Sequence, residues 1–127
     1  MKIIWIILAL SIATPTLAGG VKSAAELSSA CKDYEKVAAN DIQPQSAAEA
    51  IHFGQCLGYM EGFIDALAFS KVRPVDDKSL SPTNVELAFR LYMNKHPDKG
   101  TEFAPVVLYD ALFEANLISH KDDTAAH

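Results

Sequence analysis

His52 and Cys56 stand four residues apart in a stretch without helix breakers other than glycine. At that spacing two side chains share one helix face and can touch. A thiol beside an imidazole is the pair that makes an activated nucleophile, because the ring accepts the thiol proton. That chemistry needs a free thiol. The chain holds two cysteines, Cys31 and Cys56, and its first residues argue that both are oxidised. Lys2 precedes an apolar run over residues 3–13, Pro15 breaks the run, and Thr16-Leu17-Ala18 follows with small residues at 16 and 18. This is the layout of a secretory signal cleaved after Ala18. The run is shorter than the ~20 apolar residues of a spanning helix. An even cysteine count in an exported chain predicts a disulfide, and two cysteines allow one pairing, Cys31–Cys56. His52 is then an ordinary helix residue, and no catalytic residue is expected.

Other chemistry is equally thin. The histidines His52, His96, His120 and His127 have no partners at metal-ligand spacing. The carboxylate pairs Asp76-Asp77 and Asp122-Asp123 fall in polar segments that read as solvated loops. No nucleophile elbow, phosphate loop or dinucleotide fingerprint is present. The expectation is a protein without metal or cofactor that works by binding rather than by catalysis.

Charge narrows the partners. The chain carries a net charge of −5, and removal of Lys2 with the signal leaves ten bases against sixteen acids, a net −6. Nucleic acid demands a basic face, and an anionic membrane surface demands the same. A protein partner of complementary charge fits better.

The elements that must position these residues are helical. Ser23-Ala-Ala-Glu26 fits a capping box, and Leu27, Cys31, Tyr34 and Ala38 form an apolar stripe, so one helix is expected over residues 23–40. A second capping box, Ser46-Ala-Ala-Glu49, opens the longest helix, to about residue 70. Ala50, Gly54, Gly58, Gly62 and Ala66 recur there at every fourth position. Each glycine costs a helix up to ~1 kcal/mol relative to alanine. A stripe so bare lets a second backbone approach closely, and a crossing within the domain is the expected use, with a dimer seam as the alternative. Tyr59, beside that stripe, is expected to pack its ring and turn its hydroxyl to a polar partner. Asp65 either faces water or, if buried, needs a donor.

A polar loop over 71–81 leads to a third helix, with Thr83-Asn-Val-Glu86 as a third capping box and Pro82 suited to a helix start. It stops before Pro97, and Pro97-Asp98-Lys99-Gly100 reads as a turn. A fourth helix runs over about 101–116, with Ala104, Val107, Leu108, Ala111, Leu112 and Ala115 on one face. The fold class is therefore all-α: a small bundle of about four helices stapled by one disulfide. Residues 1–18 are the signal peptide, 19–118 the domain, and 119–127 a polar disordered tail.

The string Cys56-Leu-Gly58-Tyr59-Met-Glu-Gly62-Phe-Ile-Asp65-Ala66 resembles the signature of the Rap/Tai family, the resistance-associated and type VI amidase immunity proteins. An upstream cysteine corresponds to Cys31. Tyr92-Met93-Asn-Lys-His96-Pro97 resembles the family's segment before its last helix, and residues 104–115 resemble that helix. Many members have a second cysteine pair, but Lys71-Val72-Arg73-Pro74 and Asn116-Leu117-Ile118 contain none.

The resemblance implies a small helical periplasmic protein, often a homodimer, that binds and inhibits a cell-wall amidase delivered by a type VI secretion system. It casts Gly58, Tyr59, Gly62 and Asp65 as fold-building residues. Contacts to the amidase are expected from exposed loops, with Asp76, Asp77 and Asp98 as the acidic candidates. The alternative is a periplasmic acid-stress chaperone, since small helical proteins of that kind also use one disulfide over a similar span.

Overall fold

The computed structural model describes residues 20–76 and 80–120. The signal segment 1–18, Asp77 and the end of the chain beyond 120 lie outside the described residues.

The first expected helix is two. α1 (Ala24–Ala30) and α2 (Tyr34–Asn40) meet in a turn at Cys31. The reason lies in the spacing of the buried residues Ala24, Leu27, Ala30, Tyr34 and Val37. Their recurrence is closer to three than to 3.6, and a straight α-helix would carry Ala24 and Val37 to opposite faces. Breaking the helix after Ala30 resets the face so that both ends bury. The capping box at Ser23 forms: Ser23 Oγ accepts from Glu26 N at 3.2 Å, and Glu26 Oε2 accepts from Ser23 N at 2.9 Å. α2 closes on Asp41 in the left-handed region at φ 50°, a conformation that Asp tolerates better than most residues.

α3 (Ala47–Leu67) is the spine. Ser46 caps it by accepting from Glu49 N at 3.1 Å. The Glu49 carboxylate does not complete the box. It accepts from Gln45 N at 2.6 Å and from Lys36 Nζ at 2.9 Å, tying α2 to the start of α3. Cys56, fully buried on α3, bonds Cys31 across a Cα–Cα distance of 4.9 Å. The staple joins the α1–α2 turn to the middle of the spine.

α4 (Pro82–Lys95) starts at the expected Pro82, with its cap two residues before the Thr83 capping box. Ser81 Oγ accepts from Asn84 N at 3.2 Å, and Pro82 occupies the first turn. Thr83 is thereby freed to meet the Tyr34 hydroxyl at 3.3 Å, and Glu86 turns inward. The turn expected at residue 97 is a 3₁₀ segment, Pro97–Thr101, and α5 follows as Ala104–Glu114. Ala24 N donates to Glu102 O and Ala104 N to Lys22 O, both at 2.9 Å, so the chain entering α5 is pinned beside the start of α1.

Two short strands complete the fold. β1 (Val72–Pro74) and β2 (Ile118–His120) pair antiparallel, with Val72 opposite His120 and Pro74 opposite Ile118. Ser119 and His120, read from sequence as the start of the tail, are strand residues. Asn116, at φ 56°, turns the chain out of α5 into β2. The core runs between α1, α3, α4 and α5, with Leu27, Met60, Phe89, Leu108, Leu112 and Ile118 almost wholly enclosed. The architecture is the expected all-α bundle with one disulfide, plus a two-stranded ribbon.

Candidate protein-binding surface

The His52–Cys56 pair holds no nucleophile. Cys56 is enclosed and oxidised, while His52 lines an open groove between α1 and α3 beside Glu26, Ser29 and Gln55. Among the described residues no cluster of His, Cys, Asp and Glu is placed to hold a metal ion, and no helix is long and apolar enough to cross a membrane.

The glycine stripe of α3 is not a crossing within the domain. α3 buries Cys56, Met60 and Leu67 on one side. Gly54, Gly58 and Gly62 lie on the other side with Ala50 and Ala66, all exposed. A methyl group added at any of the three glycines would meet no atom within 4 Å. Asp65 belongs to this outer side and faces water, as does Glu61. Tyr59 sits at its edge, half-buried, with its ring against the core and its phenol pKa pushed up by that burial.

The acidic loop candidates are dispersed. Asp76 is exposed just after β1, and Asp98 is exposed in the 3₁₀ segment. Asp98 lies in the chain that enters α5 and Asp76 beside the ribbon that leaves it, so the rise of an 11-residue helix, about 16 Å, separates their elements.

Between these ends lies a surface that sequence reading missed. α5 buries Ala104, Val107, Leu108, Ala111 and Leu112. Its opposite face is also apolar: Phe103 is 60% exposed, Val106 50% and Phe113 44%. Tyr109 is half-buried beside them, and His120 of β2 extends the face. The Tyr109 hydroxyl lies 3.1 Å from His120 Nε2, and the His120 ring centre is 5.4 Å from that of Phe113 and 6.1 Å from that of Tyr109. The legible signal was that α5 carries apolar residues outside its core stripe as well, at Val106, Tyr109 and Phe113, a pattern that belongs to a helix covered on both sides.

Ion pairs border this face. Glu114 pairs with Lys95 at 2.9 Å and His96 at 3.1 Å, and Glu102 with Lys99 at 2.7 Å. The Lys95 and His96 bonds hold the Glu114 carboxyl below its ordinary pKa, and the Glu102 bond raises that of Lys99. Asp110 is the one charged residue on the face itself. It lies toward α4, where its charge adds to burial in raising the Tyr92 phenol pKa.

The domain is helical, carries one internal disulfide and leaves an aromatic face bare on α5. Its residues 23–116 match the family model of the Rap1a immunity proteins. The chain belongs to the Rap1a immunity family. No curated protein and no solved structure gives a significant match. The Rap1a match spans α1 through the end of α5, so it takes in the disulfide, the glycine face and most of the aromatic face together. Membership implies a protein effector as the partner.

Proposed function

We propose that this Rap1a chain is a periplasmic immunity protein that binds and inhibits a peptidoglycan amidase delivered by a neighbouring cell's type VI secretion system. The observation that carries the reading is the family match over residues 23–116. Three features support it. Residues 1–18 have the layout of an export signal. The Cys31–Cys56 bond suits the oxidising periplasm, where such a staple persists. The domain also presents exposed apolar side chains on α5, as a protein that recognises another protein requires.

Inhibition is by occlusion, so the chain itself catalyses nothing. Asp76 and Asp98 contribute at the border of the contact, where exposed charges steer association more than they add affinity, and Asp77 remains an acidic candidate outside the described residues. A homodimer built on the glycine face of α3 is compatible with this reading, because that face is left bare by the domain's own packing. The test is genetic: a strain lacking this gene should be lysed by sister cells that deliver a type VI peptidoglycan amidase, and a copy of this gene should restore survival. Full survival of the deletion strain would sink the proposal.

A further inference from the structure

The geometry points to the outer face of α5, with His120 at its edge, as the surface that docks the effector, which meets it with an apolar recess and a lysine or arginine opposite Asp110. The inference rests on the immunity reading above and adds to it the place and chemistry of contact.

Four observations carry it. The face is aromatic, and aromatic side chains concentrate binding energy at protein interfaces. Phe103, Val106 and Phe113 are each about half exposed or more. A covered ring buries about 150–250 Å², so the uncovered parts of this face amount to about 400 Å², half of the ~800 Å² that one partner contributes to a standard interface.

The rings are also held in place before any partner arrives. Tyr109 is bonded to His120, His120 is fixed by the pairing of β2 with β1, and Phe113 packs against both rings. Such preorganisation lowers the entropy lost on binding.

Charge selects the occupant. Glu102 and Glu114 at the border are already neutralised by Lys99 and Lys95, which leaves Asp110 as the ion that a partner must meet. A second copy docked face to face would draw the Asp110 of both copies into a drying seam whose bordering cations are already engaged with Glu114 and Glu102, and charges left so unpaired disfavour association. A different protein with a basic group at that point does not suffer this.

The experiment uses the full mature chain and a purified type VI peptidoglycan amidase of the same strain, with calorimetric titration of wild type, Phe113→Ala, Asp110→Lys and, on the far side of the bundle, Ile51→Ala. Phe113 and Ile51 are exposed and Asp110 is half-buried, and far-ultraviolet circular dichroism checks that each variant folds. Phe113→Ala and Asp110→Lys should each weaken binding at least about tenfold, and Ile51→Ala should stay within about twofold. If wild type binds and both α5 variants bind equally well, the surface is wrong while the immunity function stands. If wild type does not bind, the function fails and the surface with it. Sedimentation of the chain alone completes the test: a wild-type dimer that either α5 variant dissociates would make this a self-association face and overturn the proposal.

Discussion

Arg90 Nε lies 3.2 Å from Oε1 of Glu86, a carboxylate that is 2% exposed and, among the described residues, the one charged side chain enclosed in the core. Arg90 also reaches Glu35 on α2, at 3.2 Å, so one guanidinium joins a buried acid of α4 to a neighbouring helix. Burial raises the Glu86 pKa, and Arg90 only partly offsets it.

Removing the cation should therefore cost more than removing the acid's charge. Arg90→Met should destabilise the domain by about 2 kcal/mol, less than the roughly 3–5 kcal/mol of a fully buried pair because Arg90 itself is part-exposed. Glu86→Gln should be close to neutral. Urea unfolding of both variants checks this, and an Arg90→Met midpoint equal to wild type would refute it.

The disulfide prediction follows from the 25-residue separation of Cys31 and Cys56. Closing a loop of that length stabilises by about 3.5 kcal/mol on the chain-entropy model. The Cys31→Ala/Cys56→Ala variant should melt roughly 15–25 °C lower than the oxidised protein, a shift expected for a domain of this size. Differential scanning calorimetry reads it directly, and a shift of only a few degrees would contradict the assignment of the bond as the main staple.

Gly58→Ala and Gly62→Ala should each raise stability, by about 0.5–1 kcal/mol, because the added methyl meets nothing and alanine favours helix. Thermal melts at low protein concentration test this. Lower melting temperatures at dilution would mean that the face is packed in the isolated chain.

Acid response has two opposed parts. Hydrogen bonds and a lysine hold Glu26, Glu49 and Glu114 below the ordinary carboxylate pKa. A lowered folded pKa gives stability that is present above the unfolded value and lost as pH falls through the folded one. Glu86 has a raised folded pKa, so its ionisation opposes folding at neutral pH and that cost disappears as pH falls through the raised value. The melting temperature should hold or rise slightly from pH 7 to about 5 and fall below about 4. Glu86→Gln should flatten the first part, and Glu114→Gln should reduce the fall. An acid chaperone would have to lose its fold in the same low range and then hold unfolded clients in solution, so an aggregation assay near pH 3 separates the two functions.

Much of this was legible in the residue order. Ser23 and Ser46 announce helices because a hydroxyl can take a free N–H, and Pro97 stops α4 for a steric reason. Two cysteines, in a chain whose first residues read as an export signal, left one pairing. What was hidden depended on tertiary context. The break at Cys31 follows from which residues bury, and the stripe Leu27, Cys31, Tyr34 and Ala38 reads equally well as one straight helix. β1 and β2 are three residues each and pair across most of the domain, so no local period marks them. Gly54, Gly58 and Gly62 signal an unusual face without saying whether the domain itself covers it. On α5, Val106 and Phe113 merge with the core residues between them, and only the packing tells inner from outer.

The central claim, effector immunity, is tested most directly by peptidoglycan hydrolysis. A type VI peptidoglycan amidase of the same strain would be assayed on purified sacculi with increasing amounts of the oxidised mature chain. The account predicts that activity falls in step with added protein and is abolished near stoichiometric ratio. Undiminished hydrolysis at a large excess of the folded chain would contradict it.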